Sequence, residues 1–167
     1  SMPAIPAAAE GGPADRARYY ALAYVAMFDA GVAVFDAKYT YNAWRPITAI
    51  RNGGGDATPR DATWVSLVET PMHPEYPCAH CITASAFATV VLPLLGEDKP
   101  LVLRSANVPG QAPGTREYRK ASELAADVAD ARVYGGMHFR TSAETGAAMG
   151  AALGEYVNAT LMRPVPR

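Results

Sequence analysis

The sequence predicts an all-α protein, a helical bundle of about five or six helices with an oxyanion pocket at the helix ends. Three observations carry the fold class. Alanine, the strongest helix former, occupies 33 of the 167 positions. Apolar residues recur at helical spacing in several long segments, and no long run alternates apolar with polar residues as a half-buried strand would. Half of the residues are apolar and 19% are charged, so a packed core is within reach and general disorder is excluded. The length suits one domain. With 15 basic and 16 acidic residues the net charge is −1, so no bulk positive field exists to gather nucleic acid. The longest apolar stretch, Phe87 to Leu95, is interrupted by Pro93 and falls well short of the roughly 20 residues a bilayer requires, so no membrane span is expected.

Residues 1–13 are mostly Ala, Pro and Gly and read as a loose tail whose Ser-Met start is a scar of tag removal, leaving 14–162 as the helical domain. No basic and apolar signal region opens the chain, and the compartment stays open. From about Asp15 to Ala37 the chain is apolar on nearly every face, which suits a helix buried among others and continuing through Lys38 towards Trp44. Residues 52–60, with three consecutive glycines and Pro59, read as a loop. A second helix is expected from near Pro77, in its first turn, to about Leu95, with Gly96 ending it. Pro100 to Gly114 reads as a connecting loop, followed by a helix from about Thr115 to Val133 with an Ala121, Ala125, Val128 stripe. Gly135 and Gly136 break it. The last helix opens with Thr141 and Glu144 at capping-box spacing and runs to about Leu161. Gly146, Gly150 and Gly154 recur along it every fourth residue, the spacing of a close approach to a neighbouring helix.

Basic residues on faces that otherwise look buried are the first chemical signal. Lys38 and Arg45 are seven apart, so on one continuous helix they share a face. Arg132 takes the next slot of the Ala121, Ala125, Val128 stripe. Each alone reads better as a side chain snorkelling to water. Together they require a counter-charge, and with few carboxylates at matching positions a bound anion supplies it most economically. Pro77-Cys78-Ala79-His80 at a helix start is the second signal: free N–H groups and the positive dipole end favour an anion, and the small side chains of Cys78 and Ala79 let an oxyanion approach the backbone. His80 stands there for proton transfer. The third is Arg132 to His138, where the paired glycines let the two side chains converge. Either histidine alone could equally be a packed structural one.

Taken in order, Lys38-x6-Arg45-Pro46, Pro77-x-x-His80 and Arg132-x5-His138 resemble the three-part signature shared by vanadium-dependent haloperoxidases and type 2 phosphatidic acid phosphatases. The flanks His73-Pro74-Glu75-Tyr76 and Tyr134-Gly135-Gly136 look more like the haloperoxidase branch. The resemblance covers about Ala21 to Tyr156 and only the catalytic C-terminal half of such enzymes, which leaves room for helices ahead of this chain or for a homo-oligomer. It implies that Lys38, Arg45 and Arg132, with Cys78 and Ala79, surround a tetrahedral oxyanion: vanadate, or phosphate in the phosphatase reading. It implies that His138 bonds vanadium or attacks phosphorus, that His80 is the acid–base group, and that Lys38 assists peroxide activation. The substrates would be hydrogen peroxide and halide, or a phosphate monoester, in a secreted or periplasmic setting. Two departures stand out. Cys78-Ala79 replace Ser-Gly, which is expected to weaken anion binding, and Ser142 stands where the family places an Asp that orients the nucleophilic histidine, so His138 is expected to be a poorer nucleophile unless Glu144 or a backbone carbonyl takes over.

Three other readings compete. Cys78-Ala79-His80-Cys81 is a CxxC at a helix start, as in thiol–disulfide oxidoreductases, although such proteins need a β-α-β core and only Trp64 to Glu69 reads as strand. His73 or His80 with the cysteines could hold zinc or copper, without the paired spacing of structural sites. A non-catalytic helical scaffold that retains phosphate is the third.

Overall fold

The computed structural model describes residues 12–54, 59–95, 100–105 and 114–163. Five helices and one β-hairpin follow in the order α1 (Pro13–Tyr41), α2 (Pro46–Asn52), α3 (Ala79–Leu95), β1 (Leu101–Ser105), β2 (Gly114–Tyr118), α4 (Ala121–Tyr134) and α5 (Arg140–Thr160). The expected all-α bundle is what forms. The expected tail lies outside the described residues except at its end, where Pro13 already belongs to α1.

The bundle is organised around α3, which touches α1, α4 and α5. Its sequence explains that position, since it carries apolar or small residues nearly throughout and no Asp, Glu, Lys or Arg. Ile82, Ala86, Val90 and Val91 are buried against Leu22, Ala26, Ala30 and Val34 of α1 and Val157 of α5. The glycine spacing on α5 has the expected effect. A Cβ at Gly146 would stand 2.6 Å from the carbonyl oxygen of Cys78, one at Gly150 would overlap the carbonyl of Ile82, and one at Gly154 would meet Thr89 at 2.7 Å. The two helices therefore touch backbone to backbone.

Several expectations are corrected. The α1 face opposite its Ala23, Ala26, Ala30, Val34 stripe is exposed, with Tyr24, Phe28, Val32 and Tyr39 outward and Phe28 at 72% exposure. Within residues 13–52 an 18-residue stretch reaches a mean hydropathy of 1.4, long and apolar enough to cross a bilayer by length and composition, where no span was expected. The packing of α1 on α3 and α5 is that of a bundle helix.

The helix does not continue towards Trp44. It stops at Tyr41, where Asn42 adopts a left-handed conformation that asparagine tolerates, and its N–H closes onto the Lys38 carbonyl. Arg45 is extended, as a residue before proline must be, and Pro46 starts α2. Lys38 and Arg45 thus lie on different elements.

Pro77 precedes α3, joined to Tyr76 by a cis bond, and the helix starts at Ala79. The expected loop from Pro100 holds β1, and residues 115–118 are strand where a helix was expected, paired antiparallel from Leu101–Tyr118 to Ser105–Gly114. Burial of Leu101 and Tyr118 together accounts for that pairing. α5 begins at Arg140 after Phe139, with no side-chain cap, so Thr141 and Glu144 form no capping box.

Candidate functional site

The four segments that end near α3 bring the predicted residues together. Lys38, in the last turn of α1, is fully buried, and its Nζ donates to the carbonyls of Pro74 and Glu75, each at 2.8 Å. Arg45 is 5% exposed; its Nε donates to His73 O at 3.0 Å and its Nη1 to Met137 O at 2.8 Å. The same Nη1 lies 2.9 Å from His138 Nε2, and Nη2 lies 3.1 Å from His73 Nδ1. The break in the Arg132–His138 segment works as expected. Gly136 has φ +76°, a Cβ there would crowd the Trp64 ring, and the N–H groups of Met137 and His138 both fold back onto the Arg132 carbonyl.

The group that orients His138 is Glu75. Its Oε1 lies 2.8 Å from His138 Nδ1 and accepts the Phe139 N–H at 3.0 Å, with both side chains almost fully buried. Burial alone would raise the Glu75 carboxyl, but the hydrogen bonds from His138 and Phe139 outweigh it and hold the group below the usual carboxylate range. Burial, against the opposing pull of Glu75, lowers His138, with Arg45 adding to the effect. An ionised carboxylate on one side and a guanidinium on the other fix the tautomer: Nδ1–H donates to Glu75, and the Nε2 lone pair faces Arg45. Ser142 stands farther off, its Oγ 3.4 Å from His138 Nδ1 and 3.5 Å from Glu75 O. Glu144 has no part in this contact.

Sequence reasoning passed over Glu75 as a flank. The signal was present, since a carboxylate beside three cations in need of counter-charge is conspicuous in an otherwise apolar segment. His73, read from sequence as part of the same flank and as a candidate metal ligand, braces Arg45 and stands edge-on to Phe35 at 5.2 Å. Among the described residues no group of three His, Cys, Asp or Glu is placed to hold a metal ion.

The second half of the site is open. Arg132 Nε is buried without a hydrogen-bond partner among the described residues. His80 heads α3 with one edge towards solvent, yet crowding by protein, then the positive charges of Arg132 and its neighbours, pushes it down to about 4. Cys78 is corrected as an anion contact: its sulfur is bonded to Cys81 across the first turn, and its N–H donates to Ser142 O at 3.1 Å. No thiol or amide of Cys78 is left to offer. The N–H groups of Ala79 and His80, in the first turn of α3, have no intrahelical acceptor by geometry.

Charge sums the arrangement. Burial, then the nearby Arg45, with Arg132 contributing, lowers Lys38 to about 8 although Glu75 pulls the other way. Burial also lowers Arg45 and Arg132. Among the described residues three cations stand against one carboxylate, itself committed to a histidine. A tetrahedral oxyanion fits that imbalance: it would answer the orphaned Arg132 Nε and the α3 amides, and His138 Nε2 presents the lone pair that vanadium or phosphorus would take.

The fold and these residues define a helical domain of the vanadium haloperoxidase type. The chain belongs to the family described as the VCPO second helical-bundle domain, whose model matches residues 18–166. Among solved structures it is similar to one titled as the first bacterial vanadium-dependent iodoperoxidase, at 31% identity and TM-score 0.76 over 86% of this chain. It also shares the fold of a bacterial vanadium-dependent chloroperoxidase in its apo form, at 20% identity and TM-score 0.75 over 93% of this chain, and in its holo form, at 21% and 0.66 over 83%. The chain spans about a third of the length of these structures, 33%, 38% and 34% respectively. No curated protein sequence matches it.

Proposed function

We propose that this domain binds vanadate between Arg132, the head of α3 and His138, and oxidises halide with hydrogen peroxide, iodide first. The observation that carries the reading is the pairing of an orphaned buried guanidinium nitrogen on Arg132 with a histidine whose Nε2 lone pair is aimed into the same cation cluster. Bound vanadate would supply a Lewis-acidic centre that activates peroxide towards attack by halide. The chain's own residues do the rest. Glu75 holds the His138 ring and keeps Nε2 unprotonated. Arg45 now occupies Nε2 and must yield it to the incoming group while remaining tied to the Met137 and His73 carbonyls. Lys38 has a third N–H beyond its two carbonyl contacts and adds positive charge behind the site. His80, neutral at physiological pH, stands at the open edge where a proton must be taken up or released. The iodide preference rests on the 31% identical relative.

Vanadate titration followed by vanadium NMR, with triiodide formation measured in parallel, tests the reading. The expected result is saturable binding, peroxide-dependent iodide oxidation, and a loss of at least about a thousandfold in rate for His138→Ala. Undiminished turnover by His138→Ala overturns it. Hydrolysis of a chromogenic phosphate ester without iodide oxidation would move the site to phosphoryl transfer, and binding of phosphate without either activity would make the domain a scaffold.

A further inference from the structure

The head of α3 carries a covalent feature with no part in the chemistry described so far. Cys78 and Cys81 are joined by a disulfide across a separation of three residues, so the bond ties no two elements together and closes a loop too short to restrict the unfolded chain much. Stability alone is a weak reason for it. Its place is specific: Ala79 and His80, whose N–H groups head the helix, lie between the two cysteines. Both cysteines are sealed from solvent in a close-fitting socket, against Ala129 and Val133 of α4 and Ala143 of α5. Gly146 completes the socket, since a Cβ there would stand 3.2 Å from Cys81 Cβ and 2.6 Å from the Cys78 carbonyl oxygen. The Cys78 N–H is tied to Ser142 O of α5. Two thiols need more room than one bonded pair, because unbonded heavy atoms separate to about 3.5–4 Å. With α4 and α5 packed against the cysteines, that room must come from movement of the first turn of α3, and the Ala79 and His80 amides move with it.

We propose that Cys78 and Cys81 form a reversible redox site coupled to the oxyanion pocket: the disulfide holds the α3 amides ready for a tetrahedral anion, and reduction by a small dithiol disperses them. This coupling rests on the anion-binding part of the proposed function and not on turnover. Exchange starts when one thiolate of the dithiol attacks the Cys81 sulfur and the electron pair of the broken bond leaves on Cys78, which takes up a proton. Cys78 is the better leaving group because its sulfur already accepts the Cys81 N–H, at 3.2 Å, at the positive end of a helix. The second thiol of the reductant then displaces Cys81, which is protonated in turn. The dithiol, having given up two protons and two electrons, ends as a cyclic disulfide, and the protein gains two thiols. Both cysteines are buried, so attack waits on an opening of this turn. Linkage makes the effect mutual: an anion that binds the disulfide form more tightly makes that form harder to reduce by the same factor.

The test uses the whole chain, inorganic sulfate as the anion and dithiothreitol as the dithiol. Calorimetry is expected to show sulfate bound about tenfold more weakly after reduction, with circular dichroism reporting the helices intact. Titration against mixtures of reduced and oxidised dithiothreitol should place the midpoint about 30 mV more negative in saturating sulfate, which is the same tenfold factor for a two-electron couple. The Cys78→Ala/Cys81→Ala chain should bind sulfate equally with and without dithiothreitol, and a change there traces the effect away from this bond and overturns the proposal. Equal sulfate affinity in the two states, or a midpoint that sulfate leaves unmoved, overturns it as well. So does loss of the helices on reduction, by making the bridge a structural staple. Sulfate bound by neither state removes the oxyanion pocket and the coupling together. Coupling observed without iodide oxidation would sustain the redox site and defeat the haloperoxidase reading alone.

Discussion

The two halves of the site are built to opposite standards. On the Lys38, Arg45, Glu75 and His138 side nearly every polar atom described has a protein partner, and the four side chains are almost sealed from solvent. On the His80 and Arg132 side a buried guanidinium nitrogen has none among the described residues, and the imidazole keeps an edge in water. The difference teaches where a ligand contributes. The sealed half holds its geometry through backbone carbonyls and a carboxylate, so it is organised in advance, while the open half has donors waiting for an acceptor.

The largest expected effect breaks the sealed half. Glu75→Ala strips the one carboxylate that, among the described residues, offsets the charge of Lys38 and Arg45, and is expected to cost about 3–5 kcal/mol in urea unfolding. Glu75→Gln keeps the shape but removes the charge that favours Nε2 as the basic nitrogen, and should lower iodide oxidation about 10–100-fold with a smaller loss of stability. Glu75→Gln with wild-type rates would return the orienting task to Ser142.

In the open half the signs reverse. Arg132→Ala removes a cation whose Nε is buried and unpaired, so stability should change by less than about 1 kcal/mol or rise. Sulfate or vanadate affinity should fall about 10–100-fold in the same variant. A large loss of stability with unchanged affinity would place Arg132 among the structural cations and erase the contrast.

The halves should also titrate apart. Sulfate, whose charge is constant from pH 5 to 10, isolates the protein's own groups. Lys38, lowered to about 8 by burial and by Arg45, loses its charge as pH rises through that value, so calorimetric sulfate affinity should decline above pH 8. His80 is lowered to about 4, so in the free protein the unfolded chain takes up this proton first as pH falls below 6.5, and stability drops between 6.5 and 4. Sulfate opposes the positive field that depresses His80 and should move its NMR titration midpoint upward. An unmoved midpoint would detach His80 from the anion.

The smallest effect is expected at Ser142. Its contacts of 3.4 and 3.5 Å are long, so Ser142→Ala should lower stability by about 1 kcal/mol and leave the rate within about threefold.

Much of this was legible in the chain. The buried faces of α3 and the glycine row on α5 follow directly from residue type and period, as does the inward turn of Arg132. What was not legible involved partners distant in sequence. Lys38 and Arg45 meet although Asn42 ends the helix between them, because the fold, not the seven-residue spacing, sets their separation. Glu75 finds His138 across 63 residues, a pairing no local pattern encodes. The hairpin escaped because its two strands are short and make sense only as a pair, with Leu101 buried opposite Tyr118.

The glycine row on α5 reaches beyond packing. His80 heads one of the two helices it joins and His138 stands just before the other, so the gap between the two imidazoles is gauged by main chain against main chain. A single methyl group at residue 150, remote from any reacting atom, would act as a wedge on that gauge. Evolution or engineering that seeks new chemistry from this scaffold is thereby steered away from the seam.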